Sequence, residues 1–151
     1  QRLLKDIDQH LDQHPHLKND HQLLQSIPGV GPVVSRYMTV MLRSRSFESA
    51  AQASAYIGLV PLHHQSGSSV RGPSSIGKNG NGNLRAKLYM AAVVAIQHNP
   101  TIRAFYRQLL KNGKAKKVAL VAAMRKLVHI CYGVLKHQQP FRVHAENRRC
   151  A

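Results

Sequence analysis

Ser26-Ile27-Pro28-Gly29-Val30-Gly31-Pro32 is the stretch on which the fold turns. Ahead of it, His21 to Ile27 reads as a short helix. Behind it, the apolar run Val33 to Leu42 reads as a second one. Glycine reaches positive φ without steric cost, so Gly29 and Gly31 permit a tight turn between the two. Pro32 suits the first helical turn, where its missing N–H costs nothing. The N–H groups of such a turn can hold a phosphate. The segment is read as a helix-hairpin-helix element, with Gly29 and Gly31 as phosphate-binding positions and Arg36, Arg43 and Arg45 following. The same residues also suit a plain helix–turn–helix corner.

Working outward, the periodicity stays helical. Leu3, Leu4, Ile7 and Leu11 mark a polar helix over 2–14 that Pro15 ends or kinks. Ser46 is an N-cap candidate for a helix reaching Ile57, stopped by Gly58. Leu84, Leu88, Ala91, Ala92 and Ala95 share one face of a helix broken at Asn99-Pro100, and Thr101 caps the next, to about Leu110. After a turn at Asn112-Gly113, Val118, Val121, Met124, Val128, Cys131 and Leu135 stripe the longest helix, over 115–135. The expected class is mainly α: a connecting arm over 1–20, a domain over 21–137 and a polar tail over 138–151. A long Ser/Gly-rich loop interrupts the domain.

Charge narrows the function. The 151 residues hold 22 Lys and Arg against 6 Asp and Glu, a net +16, which favours nucleic acid as partner and an acidic membrane surface second. A hydrophobic share of 43% excludes wholesale disorder. The longest apolar run, Leu88 to Ile96, is too short to span a bilayer, so no membrane is expected. Cys131 and Cys150 lack metal-ligand spacing, and a reduced, cytoplasmic setting is expected. Opening on Gln1 without a signal peptide, the chain reads as a fragment or processed piece. Asp6, Asp8, Asp12 and Asp20 crowd the start, and only Glu48 and Glu146 follow. A two-metal site needs several converging carboxylates, so magnesium chemistry needs ligands from elsewhere. His10, His14, His16 and His21 lack Cys or acidic partners at ligand spacing, and no metal site is assigned.

Two constellations remain. Arg103, Arg107 and Lys111 stand four apart on one helix face, and Lys114, Lys116, Lys117, Arg125 and Lys126 extend the positive field. No acid lies between Glu48 and Glu146, so phosphate contact is the better reading than a solvated face. Aromatics are few, so base stacking is not the main source of affinity. The second constellation is the loop over 61–83. Ser66 beside Gly67 is unhindered, and His63 or His64 can move its proton. Arg71, Lys78 and Arg85 are candidates to neutralise charge at phosphorus. By composition alone, Ser and Gly are also ordinary turn residues. The five tyrosines, Tyr37, Tyr56, Tyr89, Tyr106 and Tyr132, read as core.

Tyr56-Ile57-Gly58-Leu59-Val60-Pro61, Gln65-Ser66-Gly67-Ser68-Ser69-Val70-Arg71-Gly72, Lys78-Asn79-Gly80-Asn81 and Leu84-Arg85-Ala86-Lys87-Leu88-Tyr89-Met90 occur in that order. In this the chain, from about Leu23 to Leu135, resembles the C-terminal domain of insertion-sequence transposases of the IS-one-ten, one-sixteen and nine-oh-two family, to which Piv-type DNA invertases are related. The resemblance implies a catalytic serine domain that works with a RuvC-like domain. The latter binds magnesium, and the composite site can draw on different subunits. It implies that Ser66 attacks a DNA phosphodiester and forms a phosphoserine link. It further implies DNA as partner, a structured guide RNA in some members, and a homo-oligomer. Gly77 stands where serine is common, and Pro73-Ser74-Ser75 where the family is often more basic; neither touches Ser66. Ser68 and Ser69 are fallback nucleophiles. The alternative reading is a non-catalytic helix-hairpin-helix module that binds DNA or structured RNA.

Overall fold

The computed structural model describes residues 2–62, 75–76 and 80–143. Among them run seven helices and one short strand pair. These are α1 (Arg2–Gln13), α2 (Pro15–Gln25), α3 (Pro32–Ser44), α4 (Ala50–Ile57), β1 (Pro61–Leu62), β2 (Ser75–Ile76), α5 (Gly82–His98), α6 (Pro100–Lys111) and α7 (Lys116–His137). The mainly α expectation holds. Ser66, Arg71, Lys78, His63 and His64 lie outside the described residues.

The core is built on α5 and α7. Leu84, Leu88, Ala91, Ala92 and Ala95 are all buried, as their shared face predicted. They meet Ala123, Leu127, Val128 and Cys131 of α7, together with Leu24, Ile27, Met38 and Ile57. The small side chains on both helices allow close packing. Helix α7 contacts α2, α4, α5 and α6. Its length and composition would suffice to cross a membrane, but a row of its side chains lies in this core. Its stripe starts one residue later than the periodicity suggested. Val118 is exposed, and Ala119 takes the buried position.

Helix ends show where side chains compete for the same N–H groups. Pro15 begins α2 rather than closing α1, because proline fits the first helical turn. The arm and second helix are thus joined by the single residue His14, which stands at the N-cap of α2. Ser49, not Ser46, caps α4, accepting from Gln52 N at 3.1 Å, while Gln52 Oε1 accepts from Glu48 N at 2.7 Å. Asn99, not Thr101, caps α6, its Oδ1 accepting from Thr101 N and Ile102 N. Gly58 stops α4 in the left-handed region, at φ +86. Its N–H reaches Ala55 O and the next N–H reaches Ser54 O. Gly113 closes α6 the same way, with Gly113 N on Leu110 O and Lys114 N on Leu109 O.

Past α7, Gln138 Nε2 donates to Asp20 Oδ1 at 2.8 Å, and Phe141 N donates to Ser26 Oγ at 2.8 Å. Residues 138–141 therefore run back to α2 and its following turn. Tyr56 and Tyr89, expected in the core, are exposed. Tyr132 is partly buried and donates to Phe47 O at 3.0 Å.

Candidate nucleic-acid interface

The turn between α2 and α3 spans residues 26–31. Its two glycines do different things. Gly29 sits at φ +102, and a Cβ there would lie 2.6 Å from Ala95 Cβ and 2.9 Å from Ala95 Cα. It is the contact that lets the turn lie flat on α5. Gly31 is the N-cap of α3 in extended geometry, and a Cβ there would meet nothing within 4 Å. Asn99 anchors the turn from below: its Nδ2 donates to Pro28 O at 3.2 Å while its Oδ1 caps α6. Sequence reasoning missed Asn99. Its place between a histidine and a proline read as a plain break.

Pro61 pairs with Ile76 and Leu62 with Ser75 in an antiparallel register. Gly80, at φ +121, presses against the C-terminal end of α4; a Cβ there would be 2.6 Å from Ile57 O. Asn81 caps α5 by accepting from Leu84 N at 3.1 Å. Arg85 Nη1 donates to the same Ile57 O at 3.3 Å. Gly58, Gly80, Asn81 and Arg85 thus join the end of α4 to the start of α5.

The arginines divide by partner. Arg36 ion-pairs with Asp8 of α1. Arg43 makes a two-pronged pair with Asp20, Nε to Oδ2 at 2.6 Å and Nη2 to Oδ1 at 3.1 Å. That hydrogen bond raises the guanidinium pKa further. Arg103 donates to Ile96 O and Gln97 O, closing the C-terminal end of α5. By contrast, Arg107, Lys111, Lys114, Lys116 and Lys117 are exposed. Among the described residues none of these five has an ion-pair partner. The stripe of Arg103, Arg107 and Lys111 is therefore split by function, with Arg103 turned to the protein.

His21 bonds Ser35 Oγ at 2.7 Å and Gln25 Nε2 at 2.9 Å. Burial, then the neighbouring Arg36, lowers its pKa. Ser35 is fully buried, which keeps this serine–histidine pair away from any substrate.

These features meet a match in known sequences. A family model described as the transposase IS116/IS110/IS902 family matches residues 21–107, more than half of the chain. The chain belongs to this transposase family. It is similar to the pilin gene-inverting protein of Moraxella bovis, 40% identical over 134 residues that cover 86% of the chain and 42% of that relative. It is also similar to the transposase for insertion sequence element IS1111A of Coxiella burnetii, 31% identical over 141 residues covering 91% of the chain and 38% of that relative. The chain spans about two-fifths of the length of these relatives.

The family resemblance raises magnesium, and the carboxylates here do not suit it. Asp8, Asp12 and Asp20 are each paired with a cation, Arg36, Lys18 and Arg43. Among the described residues no three His, Cys, Asp or Glu side chains converge to hold a metal ion.

Proposed function

We propose that this chain is the serine-bearing part of a DNA transposase or invertase. Ser66 is the nucleophile. Its Oγ attacks phosphorus in a DNA strand and its proton passes to His63 or His64; the P–O bond to one deoxyribose breaks, that sugar oxygen takes up the proton and leaves as a free hydroxyl, and a seryl phosphodiester joins the protein to the other strand end. Arg71 and Lys78 steady the phosphate in this account. Arg85 acts between α4 and α5 instead, since one of its N–H groups already serves Ile57 O. Arg107 and Lys111 contact DNA phosphates, as does the helix-hairpin-helix turn through Gly31, where nothing crowds an approaching ligand. Magnesium belongs to a RuvC-like domain rather than to these residues, and the complete enzyme works as a homo-oligomer, with a structured RNA in some relatives.

One observation carries the reading. The family motif residues Gly58, Gly80, Asn81 and Arg85 join the end of α4 to the start of α5, the described elements on either side of the stretch that contains Ser66. Two positive-φ glycines, a helix cap and an arginine thus fix the described residues that flank Ser66 in sequence. The names of the relatives, a transposase and a gene-inverting protein, agree with DNA as substrate. The test joins this chain to a RuvC-like domain and compares Ser66→Ala with the unchanged enzyme. Loss of covalent protein–DNA product with DNA affinity retained supports the proposal. Undiminished product in Ser66→Ala refutes it.

A further inference from the structure

A single residue, Asn99, joins α5 to α6, and a four-residue turn joins α6 to α7. Lys126 of α7 stands over the Phe105 ring of α6, so α7 folds back along α6. Helix α4 is held at its start to the later part of α7 through Phe47 and Tyr132, and at its end to the start of α5 through Ile57 and Arg85. The end of α4, the start of α5, the end of α6 and the start of α7 therefore share one end of the bundle. At this end β1 follows α4. The turn over 26–31 lies at the other end, bonded to Asn99 and pressed on Ala95. Along α5, the rise from Gly82 to Ala95 separates the two by about 20 Å.

The α6–α7 corner, at the end of the bundle where α5 and α7 begin, is a cluster of cations. Arg107 and Lys111 come from the last turns of α6, Lys114 from the connection, and Lys116 and Lys117 from the first turn of α7. Every residue from 111 to 118 is exposed. The corner is rigid, because Gly113 and Lys114 close α6 with two backbone bonds. Its charges also defy the local field. A helix start carries partial positive charge and favours acids, yet the first turn of α7 holds Lys116 and Lys117, no acid and no side-chain cap. Elsewhere the fold pairs Arg36 and Arg43 with carboxylates. Here like charges accumulate with none, and such local conflicts mark functional sites.

We propose that this corner, Arg107, Lys111, Lys114, Lys116 and Lys117, is a clamp for the phosphate backbone of double-helical DNA, set to carry the duplex across the end of the bundle where α5 and α7 begin. It rests on the reading of the chain as a DNA transposase. The chemistry is that of a phosphate lattice: point charges with no exposed aromatic side chain among residues 107–118 to stack a single-stranded base. Duplex DNA offers one charge per about 1.7 Å of axis, dense enough to engage every cation of a corner this size. The turn over 26–31, about 20 Å away along α5, then touches a different stretch of nucleic acid, about six base pairs along a straight duplex.

The test uses charge-matched pairs at the two ends of α7. Lys116→Gln/Lys117→Gln is compared with Lys136→Gln/Arg142→Gln in duplex-DNA binding by the 151-residue chain across a salt titration. The clamp predicts that the slope of log affinity against log salt falls by about 1.8 for the first pair, from about 0.9 per phosphate contact. The second pair leaves it unchanged. Lys111→Gln, on the other helix, lowers it by about 0.9. Equal falls for both pairs, no fall for the first, or a fall seen only with an A-form RNA duplex overturns the proposal. Repeating the titration on a Ser66→Ala background separates the two readings. An error about Ser66 appears only in covalent trapping, and an error about the clamp appears only in the slope.

Discussion

Gly29→Ala and Gly31→Ala, two residues apart in one turn, should behave as opposites. At Gly29 the new Cβ would lie 2.6 Å from Ala95 Cβ, 2.9 Å from Ala95 Cα and 3.0 Å from Ala91 O, on a backbone at φ +102. An L-residue held in such a region costs about 1–3 kcal/mol. Overpacking against helix α5 adds a further cost of about 1–3 kcal/mol, because backbone atoms cannot swing aside. The expected loss is about 2–6 kcal/mol, a fall in Tm of roughly 5–20 °C for a domain of this size. At Gly31 the Cβ enters open space on extended backbone, and only the poorer N-cap quality of alanine counts, below about 1 kcal/mol. Urea unfolding followed by circular dichroism reads both variants. Equal stability losses, or a neutral Gly29→Ala, would refute the assignment of Gly29 to packing. Gly31→Ala, being stable, then reports whether a phosphate approaches the turn, through its duplex affinity alone.

Asn99→Ala should lose about 2–4 kcal/mol, from the cap of α6 and from a Pro28 carbonyl left without its donor; Asn99→Ser, which keeps a cap, should lose less in the same urea melts. Burial, then nearby cations, lowers the pKa of both His21 and His129. The unfolded chain therefore binds their protons first, so stability is full above about pH 6.5 and falls as pH drops from there through the lowered native values. Tm measured at descending pH should show this, and a His21→Gln/His129→Gln variant should flatten the slope. Cys131 is fully buried, and burial pushes its thiol up to about 12. Alkylation mapped by mass spectrometry should leave the Cys131 peptide unlabelled until denaturant is added.

What the sequence made legible was whatever depends on near neighbours. Gly58 and Gly113 end helices through local φ, and the buried face of α5 follows from a repeat of three and four. The turn over 26–31 was also visible, because proline and glycine act on the chain locally. Failures came where a distant partner decides. Arg36 reads as free until α1 folds back and brings Asp8 to it, and the carbonyls that take Arg85 and Arg103 have no signature in sequence. Ser46 and Thr101 are good caps by type, but Ser49 and Asn99 stand one residue before the helical geometry begins. Tyr56 and Tyr89 follow the apolar surroundings of their helices and still face outward, since a helix with apolar residues all round hides its exposed side from periodicity.

The central claim is that one serine hydroxyl on the loop over 63–74 becomes bonded to DNA. The direct measurement is protease digestion and mass spectrometry of the covalent protein–DNA product formed by an enzyme carrying this chain. The account predicts a nucleotide phosphoester on the peptide containing Ser66. A phosphoester on a tyrosine peptide, or product formed with Ser66, Ser68 and Ser69 all unmodified, would contradict it.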